Sequence, residues 1–452
     1  MPPRSTSRST SQQLLVELHD PPGDLEDAST RREARKQILR HLRGLTDDLG
    51  RDMVSWAMPE VLPRTTAALT HRLELLGQGT NPSLDPSRFL RLRLNPPYGA
   101  DDLLASWGDT APPTLTKRDD AAPDGSPEGA IKELARMPGE VLWQPNLGEP
   151  PGGMAVFEQD IWPGQAGQGV RVAFLAPGYQ PTHPDYRQLE VKDLRPPKRH
   201  DRGLGTWTLG VLFAQPIHDG LVGICPRAEA VFVRPWTERP GGGEHHSSAD
   251  AVALACTALR AGDVLLLAHT GKALPAEADH ATFTAIRVAT ALGIHVVQAA
   301  GDDPHDLDAA EHSGAFQRAH RDSGAVMVTG YLRRPLPPPM ITTRIRGAFG
   351  TRVDAHAPAP IYTTKPSGTH RHLVQWFQGS TAAATQVAGV IAVASAADQQ
   401  RTGAPVTPER MRALLTATGT PAMMESDEAI AGTQPNLGAL LEALQALKHH
   451  NR

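Results

Sequence analysis

Short apolar runs that alternate with helical stretches are the pattern in this 452-residue chain that narrows its possible folds furthest. The runs lie beyond residue 165, at residues 170–175, 230–233, 264–268, 295–299 and 326–329. Helix candidates lie between them at 248–260 and 280–292, and a longer apolar one follows at 381–397. Runs that are apolar at successive positions are typical of parallel strands with helices on both faces. The pattern predicts an α/β fold with a parallel sheet between two helical layers.

The first third of the chain differs, because strand and helix candidates there occur in mixed order. Strands are predicted at 14–18, 89–94 and 140–143, and helices at 30–49, 64–76 and 100–107. Such an order is typical of a small α+β unit. Residues 108–129 are rich in Pro, Asp, Ala and Gly and predict a long loop, and residues 145–153 predict a linker. We therefore expect a flexible tail at 1–12, an α+β domain at 13–150 and an α/β domain at 151–452.

Charge and composition narrow the choice of partners. The chain has 45 Lys and Arg against 49 Asp and Glu, a net charge of −4, so its overall field gives nucleic acid or anionic lipid no reason to bind. No membrane span is predicted, because no apolar run approaches the roughly 18 to 20 residues that a span requires. The first residues show no apolar signal core, which predicts a cytoplasmic protein. Cys225 and Cys256 are expected to be buried thiols.

Three glycine-rich segments lie in the first part of the second domain. Residues 167–179 read Gly-Gln-Gly-Val-Arg-Val-Ala-Phe-Leu-Ala-Pro-Gly-Tyr, and a His-Pro-Asp sequence follows at 183–185. Residues 203–210 read Gly-Leu-Gly-Thr-Trp-Thr-Leu-Gly, and residues 220–228 read Gly-Leu-Val-Gly-Ile-Cys-Pro-Arg-Ala. Each is a weak motif alone, since turns of small residues are common.

Three further segments follow in order along the chain. Residues 262–267 read Gly-Asp-Val-Leu-Leu-Leu, and residues 293–302 read Gly-Ile-His-Val-Val-Gln-Ala-Ala-Gly-Asp. Residues 379–385 read Gly-Ser-Thr-Ala-Ala-Ala-Thr, and Val-Ala-Gly follows at 387–389. The first two are strand-like runs, and the last predicts a small-residue turn that opens a buried helix.

In this order, the segments resemble those of the subtilisin-like serine proteases, or subtilases, over about residues 165–422. The resemblance implies that Ala176 stands at the position of the catalytic Asp and Leu204 at that of the general-base His. It likewise implies that Asp302 replaces the oxyanion-hole Asn and that Thr381 replaces the nucleophilic Ser. It also suggests that the N-terminal α+β domain is propeptide-like and, without self-cleavage, stays attached. The alternative is an unrelated α+β domain that packs on the same core.

These substitutions remove the groups that acyl transfer requires. A hydroxyl nucleophile needs a base within hydrogen-bond reach, an acid that orients the base, and a donor directed at the developing oxyanion. Alanine and leucine side chains exchange no proton, and an ionised Asp302 would place negative charge where the oxyanion forms. The sequence thus predicts a degenerate subtilase, a pseudo-protease, with no catalytic residue, no cofactor and no metal.

Two other sites are considered and not predicted. His245 and His246 lack a further ligand, which argues against a metal site. The glycine-rich runs lack phosphate-loop spacing, which argues against nucleotide binding.

Three functions remain open on the sequence alone. The first is a binding or regulatory module whose groove holds a protein or peptide as an added strand, and an active subtilase that it pairs with or inhibits is one such partner. The second is a peptidase with a rearranged nucleophile and base, Thr381 with His269, or with His183 or His200. The third is a structural subunit of a larger assembly.

Overall fold

The structure of the chain is a computed structural model, and it contains two sheets of different kinds. The structure describes residues 13–18, 36–40, 42–45, 53–78, 81–95, 100–105, 114–118, 144–157, 159, 165–197, 202–215, 221–239, 242–268, 274–312, 314–335, 341–366, 374–421 and 432–447.

The N-terminal unit is an antiparallel sheet of four strands with helices. The strands are β1 (Gln13–Glu17), β2 (Val54–Pro59), β3 (Phe89–Leu94) and β4 (Thr114–Arg118), in the order β2-β3-β1-β4. The helices are α1, described at residues 36–40 and 42–43, α2 (Pro63–Leu75) and α3 (Ala100–Ala105). Alternate residues of β1 face opposite sides, so Leu14 and Val16 join the unit's own core while Leu15 joins a core shared with the second domain.

Parts of the predicted N-terminal layout need correction. Residues 108–129, predicted as a loop, contain β4, and β2 was not predicted at all. The predicted strand at 140–143 and much of the predicted helix at 30–49 lie outside the described residues. Residues 145–153, predicted as a linker, instead pack on the second domain: Leu147 is buried, and the Asn146 amide donates to Gln386 at 3.0 Å.

The main sheet has ten strands and is mostly parallel, which confirms the predicted α/β fold class. Its strands are β5 (Arg171–Leu175), β6 (Val191–Asp193), β7 (Glu229–Val233), β10 (Val264–Leu267), β11 (His295–Ala299), β12 (Val326–Pro335), β13 (Ile341–Arg346), β14 (Ala355–Pro358), β17 (Thr420–Pro421) and β18 (Thr433–Gln434). The order is β17-β18-β14-β12-β11-β10-β5-β7-β6, with β13 paired to β12. Only the β12–β13 and β17–β18 pairs are antiparallel among the described pairs of this sheet.

Two hairpins and six helices complete the described part of the second domain. The hairpins are β8 (Trp236–Glu238) with β9 (Glu244–His246), and β15 (Ile361–Thr364) with β16 (Val374–Phe377). The helices are α4 (Gly203–Phe213), α5 (Ser248–Ala258), α6 (His280–Ala291), α7 (Gly379–Thr402), α8 (Pro408–Thr418) and α9 (Leu437–Ala446). One apolar core lies between the sheet and α4, α7, α8 and α9, and the other lies between the sheet and α5 and α6. The N-terminal unit packs on this second helical layer.

Helix α7 passes through the first of these cores. Within the described residues it is the one helix long and apolar enough to cross a bilayer, but 89% of its most apolar 18-residue window is buried inside the protein. That burial is typical of the central helix of an α/β domain, whose apolar faces are covered by the sheet and neighbouring helices.

Candidate functional site

Two strand ends and two helix starts carry the residues that the sequence singled out. Ala176 directly follows β5, Asp302 lies three residues beyond β11, Leu204 is the second residue of α4, and Thr381 is the third residue of α7. Strands β5 and β11 are parallel to β10, which lies between them. Their carboxyl ends therefore reach the same edge of the sheet, where α/β proteins bind ligands.

Ala176 and Leu204 are buried hydrocarbon side chains. The backbone N–H of Ala176 donates to the carbonyl of Val233 at 3.3 Å, and Leu204 is 4% exposed. The chain after β5 lies against the first turn of α4. The contact is so close that a Cβ at Gly205 would overlap the carbonyl oxygen of Gly178. The Thr206 hydroxyl reinforces this contact by accepting the N–H of Gln180 at 2.9 Å. Neither Ala176 nor Leu204 brings a proton-exchanging side chain to this contact.

Asp302 lies at the start of α7 and is bound to Ser380. One oxygen of its carboxylate accepts the Ser380 N–H at 2.7 Å and the Ser380 hydroxyl at 2.8 Å. The Ser380 hydroxyl in turn accepts the N–H of Gly301 at 3.1 Å. Gly379 has φ +80°, and a Cβ there would overlap the Asp302 carboxylate. Asp302 thus supplies a negative charge to the positive end of a helix, which is a stabilising arrangement that sequence reasoning missed.

Thr381 presents a partly exposed hydroxyl one residue further on. Within the described part of the chain this hydroxyl makes no hydrogen bond. The backbone carbonyl of Thr381 accepts a hydrogen bond from the Thr385 hydroxyl at 2.8 Å. An alcohol without a hydrogen-bonded base is a poor nucleophile at neutral pH.

The structure describes some of the histidines that the sequence singled out as alternative bases or as metal ligands. His183 is fully buried; its Nδ1 accepts the N–H of Asp185 at 3.2 Å, and its ring stacks on Tyr186. His245 and His246 lie on β9, where the carbonyl of His246 accepts a hydrogen bond from Arg91 of the N-terminal unit. His200 and His269 lie outside the described residues. The structure therefore joins none of the described candidates to Thr381 by a hydrogen bond.

A group of titratable residues lies behind the first turn of α4. Burial raises the pKa of Asp185 to about 6. Burial, together with a hydrogen bond to Asp193 at 2.9 Å, raises the pKa of Tyr179, and burial also raises the pKa of Asp193. Across the described ranges, no three His, Cys, Asp or Glu side chains are grouped as metal ligands.

The sheet order and the two helical layers define an α/β protein of the subtilisin-like fold. The chain is similar to fervidolysin from Fervidobacterium pennivorans, a keratinolytic enzyme related to subtilisin, at 18% identity and a TM-score of 0.60. That likeness covers 96% of this chain but only 61% of fervidolysin. The chain is also similar to a mutant of EpiP, the epidermin leader peptide processing serine protease from Staphylococcus aureus, at 14% identity and a TM-score of 0.57. This second likeness covers 98% of the present chain and 100% of the EpiP chain.

Two other comparisons assign no family. The sequence matches no protein-family profile and no curated protein. At these identities the likeness to fervidolysin and EpiP establishes the fold, and function must be argued from the site.

Proposed function

We propose that this chain is a pseudo-protease: a subtilisin-like domain that binds a polypeptide in its groove without cleaving it. Its partners are proteins or peptides, and an active subtilase is the candidate that the family resemblance suggests. The proposal rests on the residues at the carboxyl edge of the sheet and on the fold that holds them.

The observation that carries the proposal is the pairing of two buried hydrocarbon side chains with an unassisted hydroxyl. Ala176 and Leu204 belong to one apolar core at the end of β5 and the start of α4. Thr381, at the start of α7, has no hydrogen-bonded base among the described residues. In subtilisin, removal of the triad as a unit lowers turnover by roughly 10⁶, so the same losses here support an inert site.

The hydrogen bonds between Asp302 and Ser380 support the proposal independently. Its carboxylate already occupies the N-terminus of α7 through Ser380. A carbonyl oxygen that develops negative charge next to this carboxylate is repelled rather than stabilised, which opposes acyl transfer.

Polypeptide binding is supported by the fold, because a groove at a sheet edge holds an extended chain through main-chain hydrogen bonds that need no triad. Fervidolysin and EpiP are both described by their action on polypeptides, fervidolysin on keratin and EpiP on a leader peptide.

Labelling with a fluorophosphonate tests the chemical part of the proposal. We expect the native chain to remain unlabelled and to leave unfolded casein intact. The positive control is a variant that combines Ala176→Asp, Leu204→His, Asp302→Asn and Thr381→Ser, which we expect to accept the label. Labelling of the native chain that is lost in Thr381→Ala but kept in Ser380→Ala would favour the threonine peptidase instead.

Fluorescence anisotropy with labelled casein tests the binding part. We expect saturable binding that weakens at least tenfold in Thr381→Trp, because a bulky side chain at this partly exposed position obstructs the groove. Thr402→Trp, at the other end of the same helix, is the matched control and should bind normally. Absence of binding, combined with a larger native particle by mass spectrometry, would contradict the proposal in favour of a structural subunit.

A further inference from the structure

The first turn of α4 carries backbone donors that nothing in the described part of the protein accepts. Arg202 is the N-cap, and its side chain makes no capping hydrogen bond. The first intrahelical bond runs from the N–H of Thr206 to the carbonyl of Arg202 at 3.2 Å. The N–H groups of Gly203, Leu204 and Gly205 form no hydrogen bond to the described residues, and Leu204 and Gly205 are buried. These are the donors with which a helix start binds an anion.

No acidic side chain of α4 compensates this positive end. The first turn contains no Asp or Glu, although α4 is 11 residues long and its partial charge is therefore fully developed. By contrast α7, whose start lies near the same edge of the sheet, receives the carboxylate of Asp302. Of these two helix starts, the described residues supply an anion to one and none to the other.

The indole of Trp207 supplies an independent donor at the same place. Trp207 is 7% exposed, and its Nε1–H has no hydrogen-bond partner within the described ranges. Side chains of a helix lean toward its N-terminus, so residue 207 covers the turn that begins at residue 203. A Cβ at Gly203 would lie 3.2 Å from Cζ2 and 3.6 Å from Cε2 of Trp207, the ring edge that bears Nε1. A buried donor without an acceptor is unfavourable, which an arriving acceptor would relieve.

We propose that the first turn of α4 and the Trp207 indole bind a carboxylate presented by the peptide in the groove. The inference rests on the proposed function and names the chemistry of the partner: an acidic segment, recognised through an Asp or Glu side chain or through a C-terminal carboxylate. Trp207 also lies beside Phe377, the last residue of β16: the two ring centroids are 5.5 Å apart, and α7 begins two residues after Phe377. The proposed carboxylate site is therefore close to the start of α7, where the proposed groove lies.

Three heptapeptides of alanine and leucine test this inference on the full chain. One has a central Glu and blocked ends, one has a central Gln and blocked ends, and one has a central Gln and a free C-terminal carboxylate. We expect at least one acidic peptide to bind about tenfold more tightly than the blocked Gln peptide, and the acidic peptide that does so identifies the source of the carboxylate. The indole N–H resonance of Trp207, identified by its absence in Trp207→Phe, should move downfield only with that peptide.

Trp207→Phe preserves an aromatic ring against Phe377 and deletes only the donor, so we expect it to reduce the acidic preference to about threefold or less. Trp236→Phe, on hairpin β8–β9, is the matched control and should retain the full preference. Equal affinities of all three peptides, or a Trp207 resonance that stays still while an acidic peptide binds tighter, would overturn this inference and leave the proposed function standing. Failure of every peptide and of casein to bind would overturn both.

Discussion

Asp302 has a different role in the structure from the one that the sequence predicts. From the sequence it is a residue that fails to donate a hydrogen bond to an oxyanion. In the structure it accepts two hydrogen bonds from Ser380 at the start of α7, and Gly379 adopts φ +80° directly beneath it. A carboxylate in this place interacts favourably with the helix dipole and accepts a backbone N–H of the first turn, that of Ser380. If the proposed function holds, the carboxylate that would repel an oxyanion thus also stabilises the start of α7.

We therefore expect Asp302→Ala to lower the free energy of unfolding by about 1–2 kcal/mol, the cost of removing a helix cap. Asp302→Asn should lower it by less, because the amide oxygen still accepts the Ser380 hydrogen bonds but carries no charge. Urea unfolding at neutral pH measures both variants. Asp303→Ala, at the adjacent exposed carboxylate, is the control and should stay close to the native value; a loss in Asp303→Ala equal to that in Asp302→Ala would contradict the capping role.

At the scale of single residues, sequence patterns predicted chain positions but not pairings. The predicted strand at 170–175 ends at Leu175, as β5 does, so Ala176 was placed at a strand end. The bond between Asp302 and Ser380 joins residues 78 positions apart, and no local pattern reports such a contact. The indole of Trp207, which has no hydrogen-bond partner among the described residues, is equally invisible, since its surroundings depend on how α4 packs against Phe377 of β16.

At the scale of elements, the N-terminal sheet shows why short strands escape prediction. Strand β4 has the sequence Thr-Leu-Thr-Lys-Arg and lies at an edge of its sheet, paired only to β1 among the described strands. Preference for a strand depends on its neighbours in the sheet, and the strand that pairs with β4 is β1, about a hundred residues earlier in the chain. The mixed α+β character was predictable because it needs only the periodicity of the longer elements.

The N-terminal unit is fixed to α5 by a buried charged contact. Glu60 and Arg91, both almost completely buried, form a two-point ion pair with distances of 2.9 Å. The hydroxyl of Ser247, the N-cap of α5, donates to Glu60 at 2.8 Å. The N–H of Leu62 then donates to Asp250 in the first turn of α5 at 2.9 Å. The contact links the turn before α2 to the helical layer of the second domain.

Glu60→Ala leaves Arg91 as an uncompensated buried charge, so we expect the unit to lose about 3–5 kcal/mol of stability. Limited digestion with thermolysin under native conditions should then remove the N-terminal unit before the second domain is cut. Glu74→Ala changes an exposed carboxylate on α2 and should leave the digestion pattern unchanged, as exposed ion pairs contribute little. Simultaneous digestion of both domains in Glu60→Ala would mean that they unfold as one unit.

At the scale of the whole molecule, Arg352 is a charged centre inside the second domain. Its side chain is 0% exposed, and its guanidinium donates to both oxygens of Glu277 at 2.7 and 2.8 Å and to Asp354 at 2.8 Å. Burial alone would raise the pKa of Glu277, but the charge and hydrogen bonds of Arg352 hold that pKa below its usual value. Sequence patterns show no sign of this network, because a Thr-Arg-Val-Asp stretch reads as a surface loop.

Removing Arg352 should destabilise the domain far more than removing an exposed arginine, because Glu277 would stay buried without its counter-charge and Asp354 would keep only its ion pair with Arg318. We expect Arg352→Met to lower the free energy of unfolding by about 3–5 kcal/mol. Arg352→Met combined with Glu277→Gln should recover part of that loss, because one uncompensated charge is gone.

The same pair of residues makes stability depend on pH. The lowered pKa of Glu277 gives stability that is present above its unfolded pKa and is lost as pH falls, so the double variant should respond less to acid than the native chain. Urea unfolding at pH 7 and pH 4 measures both effects. Arg187→Met is the control, because Arg187 is exposed and forms no ion pair among the described residues, and it should cost under about 1 kcal/mol. An Arg352→Met variant as stable as this control would show that the buried network contributes no net stability.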